Sequence, residues 1–275
     1  MFPCARILCY TDKKSGLTII KICILASSSS GNSAFIATDH TRILIDAGLC
    51  RREIAKRLAA IGEDVANLDA VLLTHEHCDH TSGLPALVKN ARRPLPVYLT
   101  RGTSQFLDWG ECTPTLEIFQ AGCRFTIGDF DVLSFTIPHD AVDPVGFTLS
   151  AQGVKIAIAT DLGYITDSLR VHLKGSHVVI LESNHDLEML RVGPYPWSVK
   201  QRVMSRRGHL SNEVAAGFIA NDLDSSVDRI ILGHISEHNN HPELVRNLAL
   251  KSIRNPLFTK LYVAEPGLQS PVFCY

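Results

Sequence analysis

The sequence predicts an α/β protein in which two mixed sheets pack face to face with helices on the outside, an αββα layering. Three observations predict it. Short β-rich runs joined by tight turns fill the first half, strand–helix alternation takes over after Asp161, and the apolar pattern continues to the C-terminus without low-complexity tracts or repeats.

Taken in order, residues 17–26 read as a strand, Ser27 to Asn32 as a serine–glycine turn, 33–38 as a strand, Asp39-His40 as a polar turn and 42–46 as a third strand. Arg51 to Ile61 reads as the first helix, because Ile54, Leu58 and Ile61 recur at helical spacing and Gly62 ends the run. A buried-type strand over 68–73 and a short helix over 83–89 follow. Further strands are expected at 97–99, 124–127, 130–137, 145–151 and 154–159, the last two joined by a Gln152-Gly153 turn. Then come a strand at 177–181, a helical stretch over 197–220, a strand at 228–232 and a helix starting at Pro242. One domain over 17–275 is the economical reading, preceded by a poorly specified leader over 1–16.

With 275 residues, 45% hydrophobic and 20% charged, the chain has the composition of an ordinary globular protein. A chain this long buries roughly three quarters of its unfolded surface, so it needs no metal to hold its fold, and any metal is expected to do chemistry. The net charge of -1 excludes a global field that would hold a polyanion; positive charge for nucleic acid must be local. The eight cysteines form no C-x-x-C pair, which fits free thiols in a reducing, cytoplasmic setting. Lys13 and Lys14 before an apolar run resemble a secretory signal, but Lys21 interrupts the run and a strand accounts for it. No stretch approaches the roughly 20 apolar residues of a membrane span, so no membrane partner is expected.

His75, His77, Asp79 and His80 offer three imidazoles and a carboxylate in H-x-H-x-D-H spacing directly after a strand. A loop leaving a strand can aim alternate side chains into one cleft, and nitrogen and oxygen donors together suit a first-row divalent metal. Glu76 lies between them and is a candidate to orient a histidine; Cys78 reads as a small buried filler.

With this motif the sequence resembles the metallo-β-lactamase superfamily, and His139 after Ile137-Pro138, Asp161 after Ala159-Thr160 and His234 after Leu232-Gly233 match its later motifs in order. The resemblance implies that His75, His77 and His139 hold one metal, that Asp79, His80 and His234 hold a second, and that Asp161 joins both. Two divalent ions follow, zinc or alternatively manganese, with a metal-bridged hydroxide as nucleophile. His77 stands where redox di-iron members of the fold carry glutamate, which favours hydrolysis.

Within the superfamily, Ala26 to Asn32, Glu182-Ser183-Asn184-His185-Asp186, Gly193-Pro194-Tyr195-Pro196, Gly208 to Asn212 and Gly233 to Leu244 look like the YycJ (WalJ) group of bacterial exonucleases. That resemblance implies DNA, in preference to RNA, as partner, and degradation in the 5′ to 3′ direction. Ser28 departs from the glycine usual there, so a positive φ at that position would strain the turn.

The residues agree with a phosphodiester substrate. Ser27, Ser28, Ser29, Ser30, Gly31 and Asn32 form a turn whose hydroxyls and N–H groups suit a phosphate. Arg191, Lys200, Arg202, Arg206 and Arg207 lie in a segment without an acid, beside Tyr195 and Trp197. Arg202, Arg206 and Arg207 are the candidate phosphate contacts, and Asp79, Asp161, His185 and His209 the candidate catalytic groups, the two histidines as phosphate-neutralising or proton-donating residues. The stretch between Asp161 and His234 is too short for the large inserted domain of the RNase J type, so the metal domain itself or a homodimer partner must grip the substrate. The competing readings are a small-molecule hydrolase of the lactonase or thioesterase kind, an RNA-processing nuclease, and a binding protein with a degenerate site. The first would want an apolar pocket, and the last would not keep a full ligand set.

Overall fold

A computed structural model describes residues 19–275; the leader expected over 1–16 lies outside the described residues. Among the described residues there are two seven-stranded sheets. The first sets β1 (Lys21–Ser28), β2 (Gly31–Ala37), β3 (Arg42–Ile45), β4 (Ala70–Leu72), β5 (Pro96–Thr100) and β6 (Thr115–Phe119) side by side in chain order, with β14 (Phe273–Cys274) against β1. The second does the same with β7 (Arg124–Ile127), β8 (Phe130–Thr136), β9 (Val145–Ala151), β10 (Val154–Ala159), β11 (Val178–Glu182), β12 (Arg229–Gly233) and β13 (Lys260–Val263). In each sheet an antiparallel meander passes into parallel strands, at β3 in the first and β10 in the second.

Side-chain alternation sorts the apolar residues into three layers. On β1, Ile22 and Ile24 face the other sheet, whereas Cys23 and Leu25 face outward. The layer between the sheets joins these to Ile36, Ile45, Phe147, Ile158 and Ile180. Outside the first sheet, Ile54 and Leu58 of α1 (Arg51–Ala60) and Leu87 of α3 (Leu84–Lys89) cover Leu44, Val71 and Leu73. Outside the second, α5 (Asp167–Leu173), α8 (Asn212–Asn221) and α9 (Pro242–Ser252) contribute Leu169, Phe218 and Val245 against Val179 and Leu232. These three layers are the αββα arrangement expected from the sequence. Phe147 is fully buried between the sheets, and truncating it to alanine would cost about 3–5 kcal/mol.

The helical stretch expected over 197–220 is two helices, α7 (Trp197–Val203) and α8, separated by a loop that carries Arg206, Arg207 and His209. Gly208 packs so closely that a Cβ there would stand 2.2 Å from the Arg202 and Val203 carbonyl oxygens, and Ser211 caps α8 by accepting from Val214 N. Four short helices, α2 (Cys78–Thr81), α4 (Arg101–Ser104), α5 and α6 (Leu187–Val192), and the strands β6, β13 and β14 add to the expected elements. No helix of the described residues is long and apolar enough to cross a membrane.

Candidate metal and substrate site

Each candidate ligand leaves the carboxyl end of a strand: His75 to His80 after β4, His139 after β8, Asp161 after β10 and His234 after β12. Open α/β sheets place their ligands at this edge. Asp46 after β3 and Glu182 at the end of β11 join the same edge, although the sequence reading gave neither a role.

One cluster brings together His75, His77 and His139, with His75 Nε2 at 3.0 Å and His139 Nε2 at 3.3 Å from His77 Nδ1. A second unites Asp79, His80 and His234: Asp79 Oδ2 stands 3.4 Å from His80 Nε2 and 3.5 Å from His234 Nε2. Asp161 lies between them, with Oδ2 at 3.4 Å from His80 Nε2, and Oδ1 at 3.3 Å from His234 Nε2 and 3.9 Å from His139 Nε2. Donor atoms on one tetrahedral ion at about 2.0–2.1 Å stand about 3.3 Å apart, so these spacings fit metal ligation.

The outer ring nitrogens fix which nitrogen faces inward. His75 Nδ1 donates to Thr74 Oγ1 at 2.9 Å, because Thr74 itself donates to Asp46 Oδ2 at 2.8 Å. His80 Nδ1 donates to Asp46 Oδ2 at 2.8 Å, His139 Nδ1 to the Gly208 carbonyl at 3.2 Å and His234 Nδ1 to Glu182 Oε1 at 2.7 Å. Four Nε2 lone pairs are thereby turned toward the centre, the outer-partner arrangement that metal-binding histidines use. His234 Nε2 and Asp161 Oδ2 are buried without a hydrogen-bond partner, which is costly unless a cation satisfies them.

The electrostatics agree. Burial would lower His80 and His234, but Asp161 with Asp46 outweighs it at His80, and Asp161, Asp79 and Glu182 outweigh it at His234, which is pushed up to about 10. His75, by contrast, is held well below its ordinary range by burial and by His80. The carboxylates thus create a demand for positive charge that divalent ions meet. Asp46, Asp161 and His234 also adopt left-handed backbone, with φ of 58°, 61° and 54°. Each costs about 1–3 kcal/mol and is held by its surroundings; His234 N, for example, donates to Ser27 Oγ at 2.7 Å.

Glu182 is a fully buried carboxylate that also accepts from His209 Nδ1 at 2.8 Å, Leu162 N at 2.9 Å and Leu210 N at 3.1 Å. Burial would lower the imidazole of His209, but Glu182 raises it above its ordinary value, and the ring, 22% exposed, opens onto the cluster. His185 differs. It is buried and its imidazole is pushed down to about 4 by burial, so near pH 7 it is neutral and brings no positive charge to a phosphate.

The structure redistributes the expected substrate residues. Ser27 and Ser28 are buried in β1 and Gly31 and Asn32 in β2, leaving Ser29 and Ser30 alone as the exposed turn, and Ser28 does not adopt a positive φ. Asn32 donates to Ser28 O at 2.9 Å and Asp79 Oδ2 at 3.2 Å, so it braces a ligand instead of meeting solvent. Ser30 Oγ donates to Glu237 at 2.6 Å. In the basic segment, Lys200 is buried and donates to the Arg191 carbonyl, Arg191 pairs with Glu188, and Arg202 pairs with Asp140. Arg206 and Arg207 keep exposed heads, Arg207 Nε donating to His139 O at 3.2 Å. Glu76 orients no histidine; it accepts from Val142 N at 2.8 Å and ties two motif loops together. Cys78, expected to be buried, is exposed.

Comparison with known proteins agrees with this geometry. Residues 41–235 match the family described as "Beta-lactamase superfamily domain". The exodeoxyribonuclease WalJ of Streptococcus pneumoniae is 35% identical over 262 residues, covering 92% of this chain and 97% of the relative. The exodeoxyribonuclease YycJ of Bacillus anthracis is 38% identical over 226 residues, 81% of this chain and 85% of the relative. Among solved structures, the metallo-β-lactamase fold protein YhfI of Bacillus subtilis superposes with a TM-score of 0.72 at 17% identity, covering 94% of this chain and all of that one. Zinc-bound PqqB of Methylobacterium extorquens gives 0.67 at 18%, with 91% and 99% covered.

Proposed function

Because this chain belongs to the beta-lactamase superfamily and, within it, to the family of its WalJ and YycJ relatives, we propose that it is a metal-dependent phosphodiesterase that degrades DNA from a strand end. In this reading His75, His77 and His139 hold one divalent ion, Asp79, His80 and His234 a second, and Asp161 touches both. The nitrogen-rich donor set suits zinc, with manganese the alternative. When bound, the ions activate a water as nucleophile and polarise the phosphoryl group.

The remaining steps belong to side chains. His209, fixed by Glu182 through Nδ1, presents Nε2–H to the site and donates that proton to the departing 3′-oxygen. Glu182 stabilises the charged imidazole without reaching the substrate. Arg207 and Arg206, beside His139, hold the phosphates that flank the bond being cut, and the phosphate released stays on the 5′ side of the next nucleotide. The observation that carries this reading is a metal-shaped donor set whose His139 also lines a cleft with Arg206 and Arg207, with the carboxylate-bound His209 beside it. Pro138, Ala141, Val142 and Pro144 also line the cleft beside His139, and it is Arg206 and Arg207 on its wall that favour a phosphodiester over a lactone or thioester. The resemblance of the segments Ala26 to Asn32 and Gly233 to Leu244 to the YycJ (WalJ) exonucleases supports a 5′ to 3′ direction, and the thiols of Cys23, Cys50, Cys78, Cys112 and Cys123 support a reducing, cytoplasmic setting.

The test is direct. Chelator-stripped protein, restored with zinc or manganese, should cut end-labelled single-stranded DNA faster than RNA of the same sequence. Equal or faster cutting of the RNA would move the assignment to RNA processing.

A further inference from the structure

The cleft beside His139 is an open cavity of about 400 Å³ whose walls are the loop from Pro138 to Pro144 on one side and Tyr164, Arg206 and Arg207 on the other. It shares His139 with the donor set, so anything lying in it is next to the reacting centre. The Arg206 guanidinium lies over the Tyr164 ring, 4.2 Å from its centroid. Among the described residues no carboxylate pairs with Arg206 or Arg207, in contrast to Arg202, which Asp140 holds.

The placement is rigid. A Cβ on Gly163 would lie 2.4 Å from the Arg206 carbonyl carbon and 2.6 Å from the Ser205 oxygen, and Gly163 N donates to Pro138 O at 3.0 Å. Backbone therefore meets backbone where the Asp161 loop, the arginine loop and the His139 loop join, and Tyr164 and Arg206 are carried on that junction. A guanidinium stacked on an aromatic ring is held flat, with its far face free to stack and its edge free to donate. That combination suits a nucleobase lying on a plane with its phosphate beside it.

We propose that Tyr164 and Arg206 form a stacking platform for one unpaired nucleobase next to the scissile phosphate, with Arg207 on the adjoining phosphate. The inference rests on the reading that this site cuts DNA. A base still stacked and paired in a duplex cannot lie on the platform, so the platform selects a single-stranded nucleotide and does so without regard to base identity.

The experiment is an abasic scan. Single-stranded DNA bearing one tetrahydrofuran abasic residue at each position flanking a labelled bond is compared with the intact strand, for the wild type and for Tyr164→Ala, Tyr164→Phe and Arg206→Lys. The wild type should lose about 5- to 150-fold in kcat/KM at one position, the size expected for a single stacked base. Tyr164→Ala and Arg206→Lys should cut intact and abasic strands alike, because one loses the ring and the other keeps the charge but not the plane. Tyr164→Phe should keep the penalty. Equal cutting of every abasic strand by the wild type, or the full penalty persisting in Tyr164→Ala, overturns the platform. Failure of the wild type to cut the intact strand overturns the nuclease reading instead.

Discussion

Glu182 Oε1 accepts from His209 Nδ1 at 2.8 Å and from His234 Nδ1 at 2.7 Å, so one buried oxygen couples a candidate metal ligand to the candidate proton donor. His209→Ala should lower kcat by about 10²–10⁴-fold with metal content unchanged. A substrate whose leaving 3′-oxygen is replaced by sulfur needs no proton, and should recover most of that loss. Glu182→Gln should lower both kcat and occupancy of the second ion, the latter by about 10–100-fold in affinity. A His209→Ala enzyme equally slow on the sulfur substrate would remove the proton-donor role.

Two ions per chain should be found by elemental analysis of the metal-saturated protein. Asp161→Ala and His77→Ala should abolish hydrolysis while leaving the circular dichroism spectrum largely intact. Saturation at one ion would refute the pairing of sites.

Metal uptake should release protons. His80 and His234 are raised above their ordinary values by the surrounding carboxylates, which favours their protonated forms without metal, whereas a ligand must be neutral. Affinity should therefore fall as pH falls. Calorimetry in buffers of different ionisation heat reads the proton count, and zero protons released would contradict this picture.

Arg206→Ala with Arg207→Ala should weaken DNA binding and reduce the slope of log K against log salt by roughly one unit per lost phosphate contact. Arg202→Ala should change the slope less, because Asp140 already neutralises Arg202. Identical slopes for wild type and double variant would make the segment a solvated face.

The layering was legible because both sheets are covered on both faces, which writes nearly continuous apolar runs such as 22–26 and 178–181 into the chain. The His75 to His80 cluster was legible because its ligands are local in the chain and follow a strand. Asp46 and Glu182 end apolar strands as Asp161 does, so the signal existed, but their task depends on partners up to 52 positions away. The break between α7 and α8 was hidden because it is set by the close packing of Gly208 and of the loop on Gly163, and not by a lapse in local pattern. The edge strand β6 lacks clean alternation, its residues being mostly exposed. The five cations at 191–207 read as free charge, whereas Glu188 and Asp140, outside the segment, claim two of them.

The central claim, an end-directed metal-dependent DNase, is tested most directly by following 5′-labelled, 3′-labelled and closed circular single-stranded DNA with the metal-restored enzyme. The account predicts that the 5′ label is released first, that 5′-phosphorylated nucleotides accumulate and that the circle survives. Early loss of the 3′ label, or cutting of the circle at the rate of the linear strand, would contradict it.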